Sequence, residues 1–224
     1  MMTPEKSPPP YHNRGFMFTG IVQRQVQVQQ VHDQGQFRQL KLIVPTELLL
    51  QLERGASIAV NGTCLTVTDF DASAGWVQFD VIDETLQKTN LGTLTEGSWV
   101  NFERSLSFGR EIGGHLVSGH VHGTVAILAV EKQGLNCRIE LALPDAFRPY
   151  VLSKGFIAVD GISLTVGALT EQSFYLHLIP ETLSVTTLGQ RQSGDLVNIE
   201  LDQQTITIVD TVERVLAQRQ HHRS

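Results

Sequence analysis

Apolar and polar residues alternate along several short stretches of the chain, which is the pattern of half-buried β-strands. The clearest examples are QFRQLKLIVP (36–45) and NCRIELALP (136–144). After the proline of each stretch, Thr46 or Asp145 is placed to cap one short helix. Several short strands and one helix, occurring twice, predict a small closed or nearly closed barrel in each part of the chain, because closure removes exposed sheet edges.

The chain repeats one pattern. IAVNGTCLTV (58–67) and IAVDGISLTV (157–166) match at seven of ten positions and start 99 residues apart. Offsets of 97 to 99 residues relate further segments, namely GIV at 20 and GHV at 119, and VNFE at 100 and VNIE at 197. A period near 100 is too long for a solenoid and fits one small domain. We therefore expect two homologous halves, 17–112 and 113–205.

The repeated phrase contains a hairpin signal. Its first strands end in Asn-Gly and Asp-Gly, pairs that favour the type I′ turn because both central residues take positive φ. Return strands are expected to follow, with Cys64 and Ser163 near their starts. Such positions lie at a barrel rim, where loops and ligands meet. Cys64 is equally compatible with a small packing residue in the core.

The two ends of the chain differ from the halves. Residues 1–16 are rich in proline and polar residues and lack periodicity, so we expect a disordered leader ahead of Met17. At the other end, 206–224 is expected to hold an amphipathic helix and a frayed tail. Asp210 and Glu213 form a candidate capping box for that helix. Its apolar stripe packs either on its own barrel or against sister subunits.

Composition is that of an ordinary soluble protein, with 18% charged and 41% hydrophobic residues among 224. The net charge of −6 and the lack of a Lys/Arg cluster argue against a nucleic-acid surface. No apolar run approaches the roughly 20 residues of a membrane helix, and the leader has no apolar signal core. The two cysteines stand in dissimilar contexts. A reducing compartment, the cytoplasm, is therefore expected.

The densest candidate for chemistry is EIGGHLVSGHVHG (111–123), which holds three histidines and four glycines. Glycines let a backbone approach a ligand closely, and histidines exchange protons near neutral pH. The histidines suit a metal site, ordinary hydrogen bonding, or proton transfer by His115 and His120 with His122 incidental. We favour proton transfer, and expect His120 and His122 to alternate along a strand.

Four other charged residues each allow two interpretations. Lys154 is either a solvated turn lysine or the charge that holds an anionic ligand. Asp202 is either a turn residue or a partner for a polar ligand. Glu84 and Glu181, each followed by Thr-Leu, either bond a heterocycle or polyol at the end of a strand or make a local turn. The chain has no P-loop and no GxGxxG motif, so a nucleoside triphosphate or a Rossmann-bound dinucleotide is not indicated.

Seven motifs in order resemble the riboflavin synthase family, alpha-chain type, over about residues 17–219: MFTGIV, NGTCLTV, ETL…TNLG, GGHLVSGHV, KGFIAVDGISLTV, IPETL and VDTVERVL. The resemblance implies an all-β fold of two homologous six-stranded Greek-key barrels plus a C-terminal α-helix that assembles a homotrimer. It also implies a transferase without metal or redox cofactor. The reaction is dismutation of two 6,7-dimethyl-8-ribityllumazine molecules to riboflavin and 5-amino-6-ribitylaminouracil, the last step of riboflavin biosynthesis.

The resemblance also implies an active site between the N-terminal barrel of one subunit and the C-terminal barrel of another. The implied catalytic residues are Phe18, Cys64, His115, Ser163 and Asp202. The implied pocket of the N-half contains Gly20, Ile21, Val22, Cys64, Leu65, Thr66, Asp80, Val81, Ile82, Asp83, Glu84 and Thr85. The implied pocket of the C-half contains Gly119, His120, Val121, Lys154, Ser163, Leu164, Thr165, Ile179, Pro180, Glu181 and Thr182.

Two similar pockets would suit two copies of one compound. The differences between Cys64 and Ser163, and between Asn61 and Asp160, would let donor and acceptor pockets differ. One rival is a lumazine-carrying antenna protein of the same fold that binds without turnover. Another is a metal-dependent barrel enzyme that uses the three histidines. Intact CLTV, SLTV and GGH segments favour the enzyme of the resembled family.

Overall fold

Two closed antiparallel barrels make up the computed structural model, which describes residues 18–35, 37–107, 109–134 and 136–221. The predicted leader, Met17 and the end of the predicted tail lie outside the described residues. The first barrel contains β1 (Arg24–Asp33), β2 (Phe37–Ile43), β3 (Ser57–Val60), β4 (Thr63–Asp71), β5 (Trp76–Ile82) and β6 (Trp99–Arg104). The second contains β7 (Gly123–Gln133), β8 (Asn136–Ala142), β9 (Phe156–Val159), β10 (Ile162–Leu169), β11 (Ser173–Leu178) and β12 (Leu196–Leu201).

Both barrels have the same topology. The strand order is β1-β2-β5-β4-β3-β6 in the first barrel, and β7-β8-β11-β10-β9-β12 in the second, each closing on its first strand. The β3–β4 and β9–β10 hairpins carry the repeated phrase in the same register. The predicted all-β fold of two six-stranded Greek-key barrels is therefore confirmed.

Short helices connect the strands at equivalent places in the two halves. The 3-10 helices Thr46–Leu49 and Arg148–Tyr150 follow the prolines, but neither has a side-chain cap, so the predicted caps at Thr46 and Asp145 are wrong. The helix α1 (Asp83–Lys88) directly follows β5, and α2 (Pro180–Val185) begins one residue after the end of β11, with Ile179 between them. Their first turns contain Glu84 and Glu181, just after the ends of the strands.

The chain ends in α3 (Gln203–His221). Its N-terminus is capped by Asp202, whose carboxylate accepts hydrogen bonds from the amide (2.9 Å) and hydroxyl (2.7 Å) of Thr205. The predicted capping box is wrong, because Asp210 lies inside α3, where it accepts a bond from the Tyr150 hydroxyl at 2.7 Å. In the described part of the chain, no helix is both long and apolar enough to cross a membrane.

Each barrel encloses its own apolar core, filled by alternate residues of its strands. Phe79 and Phe102 are fully buried in the first core, and Phe174 is almost so in the second. One residue from the start of the first half belongs to the core of the second barrel. Val22 precedes β1 in the chain but packs in the core of the second barrel. The segment that leads into the first barrel is therefore part of the second one.

The hairpin turns of the two halves meet where the barrels touch. Asn61 and Asp160 both have φ of 45°, and the glycines after them have φ of 77° and 78°, as the Asn-Gly and Asp-Gly pairs predicted. A Cβ atom on Gly62 would lie 2.5 Å from the amide nitrogen of Gly161. Only glycine permits this contact between the two backbones.

A buried polar network surrounds these turns. The fully buried Asp160 carboxylate accepts bonds from the Asn90 carboxamide (2.8 Å), the Asn198 amide (2.8 Å) and the Arg191 guanidinium (3.0 Å). Its counterpart Asn61 donates to the Asn90 side chain at 3.1 Å. The expectation that Asn61 and Asp160 distinguish two ligand pockets is therefore wrong, because this pair joins the barrels.

Replacing Gly62 by alanine is expected to weaken the contact between the barrels. Gly55 provides the control, because its φ is also positive (86°) but a Cβ there would meet nothing within 4 Å. We expect Gly55→Ala to lose about 1–2 kcal/mol of unfolding free energy from backbone strain. Gly62→Ala should lose about 1–3 kcal/mol more, because its Cβ must displace Gly161. Equal losses in urea denaturation would contradict the close contact.

Candidate functional site

The glycine motifs GIV (20–22) and GHV (119–121) each contact the half of the chain to which they do not belong. Gly20 accepts a hydrogen bond at 2.8 Å from the amide of Ser163 in β10, and Gly119 accepts one at 2.9 Å from the amide of Cys64 in β4. A Cβ atom on either glycine would lie within 2.6 Å of the Cβ of its partner. The predicted grouping of Gly20–Val22 with Cys64 and of Gly119–Val121 with Ser163 is therefore wrong. Repeat spacing identifies equivalent residues, but it does not show which of them touch.

A cavity of about 270 Å³, which we call the N-half pocket, lies beside Cys64. Its lining consists of Thr63, Cys64, Glu84, Thr85, Lys88, Thr89, Gly119, His120 and Val121. Sequence reasoning missed Thr63, Lys88 and Thr89. Lys88 had a signal, since it stands one helical turn after Glu84, and its ammonium meets that carboxylate at 2.7 Å.

The equivalent region of the second half, which we call the C-half pocket, is defined by Gly20, His115, Phe156 and Ser163. The Nδ1 atom of His115 lies 2.6 Å from the Ser163 hydroxyl. The His115 ring stacks on Phe156 at 5.1 Å between centroids, and its backbone amide donates to the Thr19 carbonyl. Stacking holds one face of the imidazole and the amide bond holds the backbone that carries it, which together orient the ring toward Ser163. Sequence reasoning missed Phe156.

Burial lowers the pKa of His115, and the nearby Asp202 carboxylate partly opposes this effect. The imidazole is therefore neutral at pH 7. With the proton on Nε2, Nδ1 accepts the hydrogen bond from the Ser163 hydroxyl. This arrangement makes Ser163 and His115 a proton-accepting pair. Asp202 acts on the pair through its charge, while its carboxylate also caps α3.

The thiol of Cys64 is suited to contacting a ligand as a neutral group rather than to nucleophilic attack. Burial raises the pKa of its thiol above the ordinary value, with a smaller contribution in the same direction from the Glu200 charge. A thiol that stays protonated is a poor nucleophile. Neither Cys64 nor Cys137 is in a disulfide.

Several implied pocket residues point into the barrel cores. Leu65, Val81 and Val22 are each at most 9% exposed and belong to the apolar cores. Their side chains are therefore core residues, and a ligand contact at these positions would involve the backbone. The reason is strand alternation, which places Cys64 and Thr66 on one face and Leu65 on the other.

The remaining implied residues lie at or near the protein surface. Exposed ones are Ile21, Thr66, Asp80, Ile82, Asp83, Thr165, Ile179, Pro180 and Glu181, and half-buried ones are Leu164 and Thr182. Lys154 is exposed in the turn before β9, where its φ is 69° and its amide donates to the Val166 carbonyl.

Phe18 is fully buried and supports the pocket from behind. Its backbone pairs with Val117 in a two-residue bridge, and its ring lies 3.0 Å from where a Cβ on Gly119 would be. This position is that of a packing residue that shapes the loop of Gly119. The implied catalytic role of Phe18 stays a prediction.

The other two histidines differ from His115. His120 is exposed and lines the N-half pocket, while the Nδ1 atom of His122 accepts a bond from the Leu201 amide at 3.2 Å. Both precede β7, which begins at Gly123, so their predicted alternation along a strand is wrong. Among the residues that the structure describes, no three His, Cys, Asp or Glu side chains are grouped to hold a metal ion.

The model of the lumazine binding domain family matches the chain twice, at residues 19–105 and 118–202. Riboflavin synthase of Escherichia coli (strain K12) is 48% identical over 206 residues, which span 92% of this chain and 96% of that protein. Riboflavin synthase of Chlamydia muridarum (strain MoPn / Nigg) is 42% identical over 203 residues, spanning 91% and 98%. The solved structure of LumP complexed with riboflavin has a TM-score of 0.76 and 26% identity, covering 84% of this chain and 100% of that one.

Proposed function

The chain belongs to the riboflavin synthase family of lumazine-binding proteins, and we propose that it catalyses the dismutation of two 6,7-dimethyl-8-ribityllumazine molecules. One molecule transfers a four-carbon unit to the other, which yields riboflavin and 5-amino-6-ribitylaminouracil. Two substrate molecules contain the same atoms as the two products, so the transfer needs no oxidant or reductant. The observation that carries the proposal is a backbone contact that occurs twice in one chain, because the amides of Ser163 and Cys64 bond the carbonyls of Gly20 and Gly119, each from the other half.

The Ser163–His115 pair supplies the proton chemistry of the proposed reaction. The C7 methyl group of the substrate is acidic because its anion delocalises into the pteridine ring. The Ser163 hydroxyl takes the methyl proton as it passes its own proton to Nδ1 of His115, 2.6 Å away. Holding two rings face to face removes much of the entropy cost of joining them. Cys64, as a neutral thiol, contacts the second ring.

Conversion of the lumazine separates this activity from binding alone. The alternative function is that of a carrier, since the LumP structures hold the same kind of ligands on the same fold. The protein is incubated with 6,7-dimethyl-8-ribityllumazine, and riboflavin is followed by its absorbance. We expect one riboflavin for every two lumazines consumed. A bound but unchanged lumazine would support the carrier.

The pH dependence of turnover follows from the state of His115. Its pKa lies below the ordinary 6.5, because burial disfavours the charged ring. We expect kcat/KM to be flat near pH 7 and to fall as the pH drops through that lowered pKa, since protonation removes the base. This decrease at low pH, the acidic limb of the profile, should be absent in His115→Gln. A limb centred above 6.5, or one that persists in the variant, would contradict the assignment.

Association into a homotrimer through α3 is supported by an unpaired apolar stripe. Ile208, Val212, Val215 and Leu216 are 40% to 64% exposed and lie at helical spacing. The opposite side of α3 contacts its own barrel through Ile206. A trimer would cover the stripe and bring the pocket of one chain to that of another. Two free cysteines fit a reducing compartment, the cytoplasm.

A further inference from the structure

A buried carboxylate in the first barrel holds the glycine motif that serves the second. Glu103, in β6, accepts hydrogen bonds from the amide (2.7 Å) and the hydroxyl (2.8 Å) of Thr19. Its other oxygen accepts a bond from the amide of Gly20 at 3.1 Å. Gly20 then packs on Ser163 of β10. A continuous chain of contacts therefore runs from Glu103 to the C-half pocket.

The second barrel has the equivalent set of hydrogen bonds. Glu200, in β12, accepts bonds from the amide (2.7 Å) and the hydroxyl (2.8 Å) of Ser118 and from the amide of Gly119 (2.9 Å). Gly119 then packs on Cys64 of β4. This chain of contacts runs from Glu200 to the N-half pocket, in the opposite direction to the first.

Two buried carboxylates are a costly way to fix two loops. Each is only 5% exposed, and burial raises the pKa of both groups against the effect of the hydrogen bonds they accept. A buried charge is tolerated only when its hydrogen bonds replace those to water. An apolar residue would fill the same volume at lower cost. The charge therefore binds the donors, which are the backbone amides of the two glycines and of the residue before each.

We propose that Glu103 and Glu200 are positioning residues, and that each sets the geometry of the pocket on the barrel to which it does not belong. Each carboxylate fixes two successive amides and thus the path of the backbone that carries the glycine carbonyl. That carbonyl is bonded to the residue of the opposite half, Ser163 or Cys64. This inference rests on the proposed function, because it assumes that both pockets take the same kind of heterocyclic ligand.

The test is a crossed binding experiment with Glu103→Gln and Glu200→Gln. Glutamine keeps the volume but turns an N–H group toward a backbone amide. Riboflavin is the probe; the NMR signal of His115 reports the C-half pocket, and that of His120 reports the N-half pocket, which it lines. We expect Glu103→Gln to weaken the C-half pocket about tenfold or more and to leave the other within about twofold. Glu200→Gln should show the reverse.

Controls keep the outcomes distinct. Glu96→Gln, at an exposed position before β6, should change neither pocket. If a glutamine variant does not fold, Thr19→Ala and Ser118→Ala each remove the hydroxyl that bonds the carboxylate and also accepts a bond from the amide two residues later. They should give the same crossed pattern at about three- to tenfold. Weakening of the pocket on the same barrel, equal weakening of both, or no change would each overturn the proposal. Failure of the unsubstituted protein to convert lumazine would instead contradict the proposed function.

Discussion

Replacing His115 by alanine is expected to lower turnover by about a hundred- to ten-thousandfold, the usual loss when a general base is removed. The imidazole is buried, neutral near pH 7 and 2.6 Å from the Ser163 hydroxyl. Without it, the serine has no group to which it can pass a proton. Ligand affinity should change much less than kcat, because the ring lies behind Ser163. The measurement is steady-state formation of riboflavin.

His32 provides the matched control for this variant. It is an exposed histidine in β1 that belongs to neither pocket, and His32→Ala should retain the activity of the unsubstituted protein. Thermal unfolding of both variants separates a catalytic loss from a folding loss, because His115 also stacks on Phe156. Full turnover by a folded His115→Ala protein would remove His115 from the mechanism.

Ending the chain after Thr207 is expected to convert trimers to monomers and to reduce turnover about a hundredfold or more. The truncation removes the exposed stripe of α3 but keeps the Asp202 cap and Ile206, which packs on the second barrel. Turnover should fall with assembly, because the proposed reaction pairs a pocket of one chain with a pocket of another. Sedimentation and riboflavin formation are measured on the same samples.

A single charge tests the same face with less disruption. Val212→Glu places a carboxylate in the stripe, where its desolvation would oppose association. Thr211→Glu is the matched control, since neighbouring residues point about 100° apart around a helix. We expect monomers from the first and trimers from the second. Trimers that persist in the truncated protein would show that another surface joins the subunits.

Much of the fold could be predicted because its causes are local. Alternation in stretches such as 36–45 sets strands, and the Asn-Gly and Asp-Gly pairs set the hairpin turns at Asn61 and Asp160. The shared offset of the repeats then required the same fold twice. The helix caps failed for an equally local reason: Asp202 precedes Thr205 at the correct spacing, but the more acidic stretch from Asp210 gave a stronger capping-box pattern.

The pairing of pocket residues could not be predicted, because it depends on contacts between distant parts of the chain. Gly20 is 143 residues from Ser163, and no pattern along either segment shows that they touch. Repeat spacing made Gly20 and Gly119 equivalent, which is correct, and invited the assumption that each stays with its own half. Glu103 and Glu200 were visible only as markers of the repeat, because a buried carboxylate and an exposed one look alike in a sequence.

The count of ligand sites per chain tests the central claim most directly, which is that each polypeptide offers two pockets for one kind of molecule. The His115→Ala variant, whose slow turnover preserves the substrate, is dialysed to equilibrium against excess 6,7-dimethyl-8-ribityllumazine. The account predicts that two molecules bind to each chain. Saturation at one molecule per chain would contradict it.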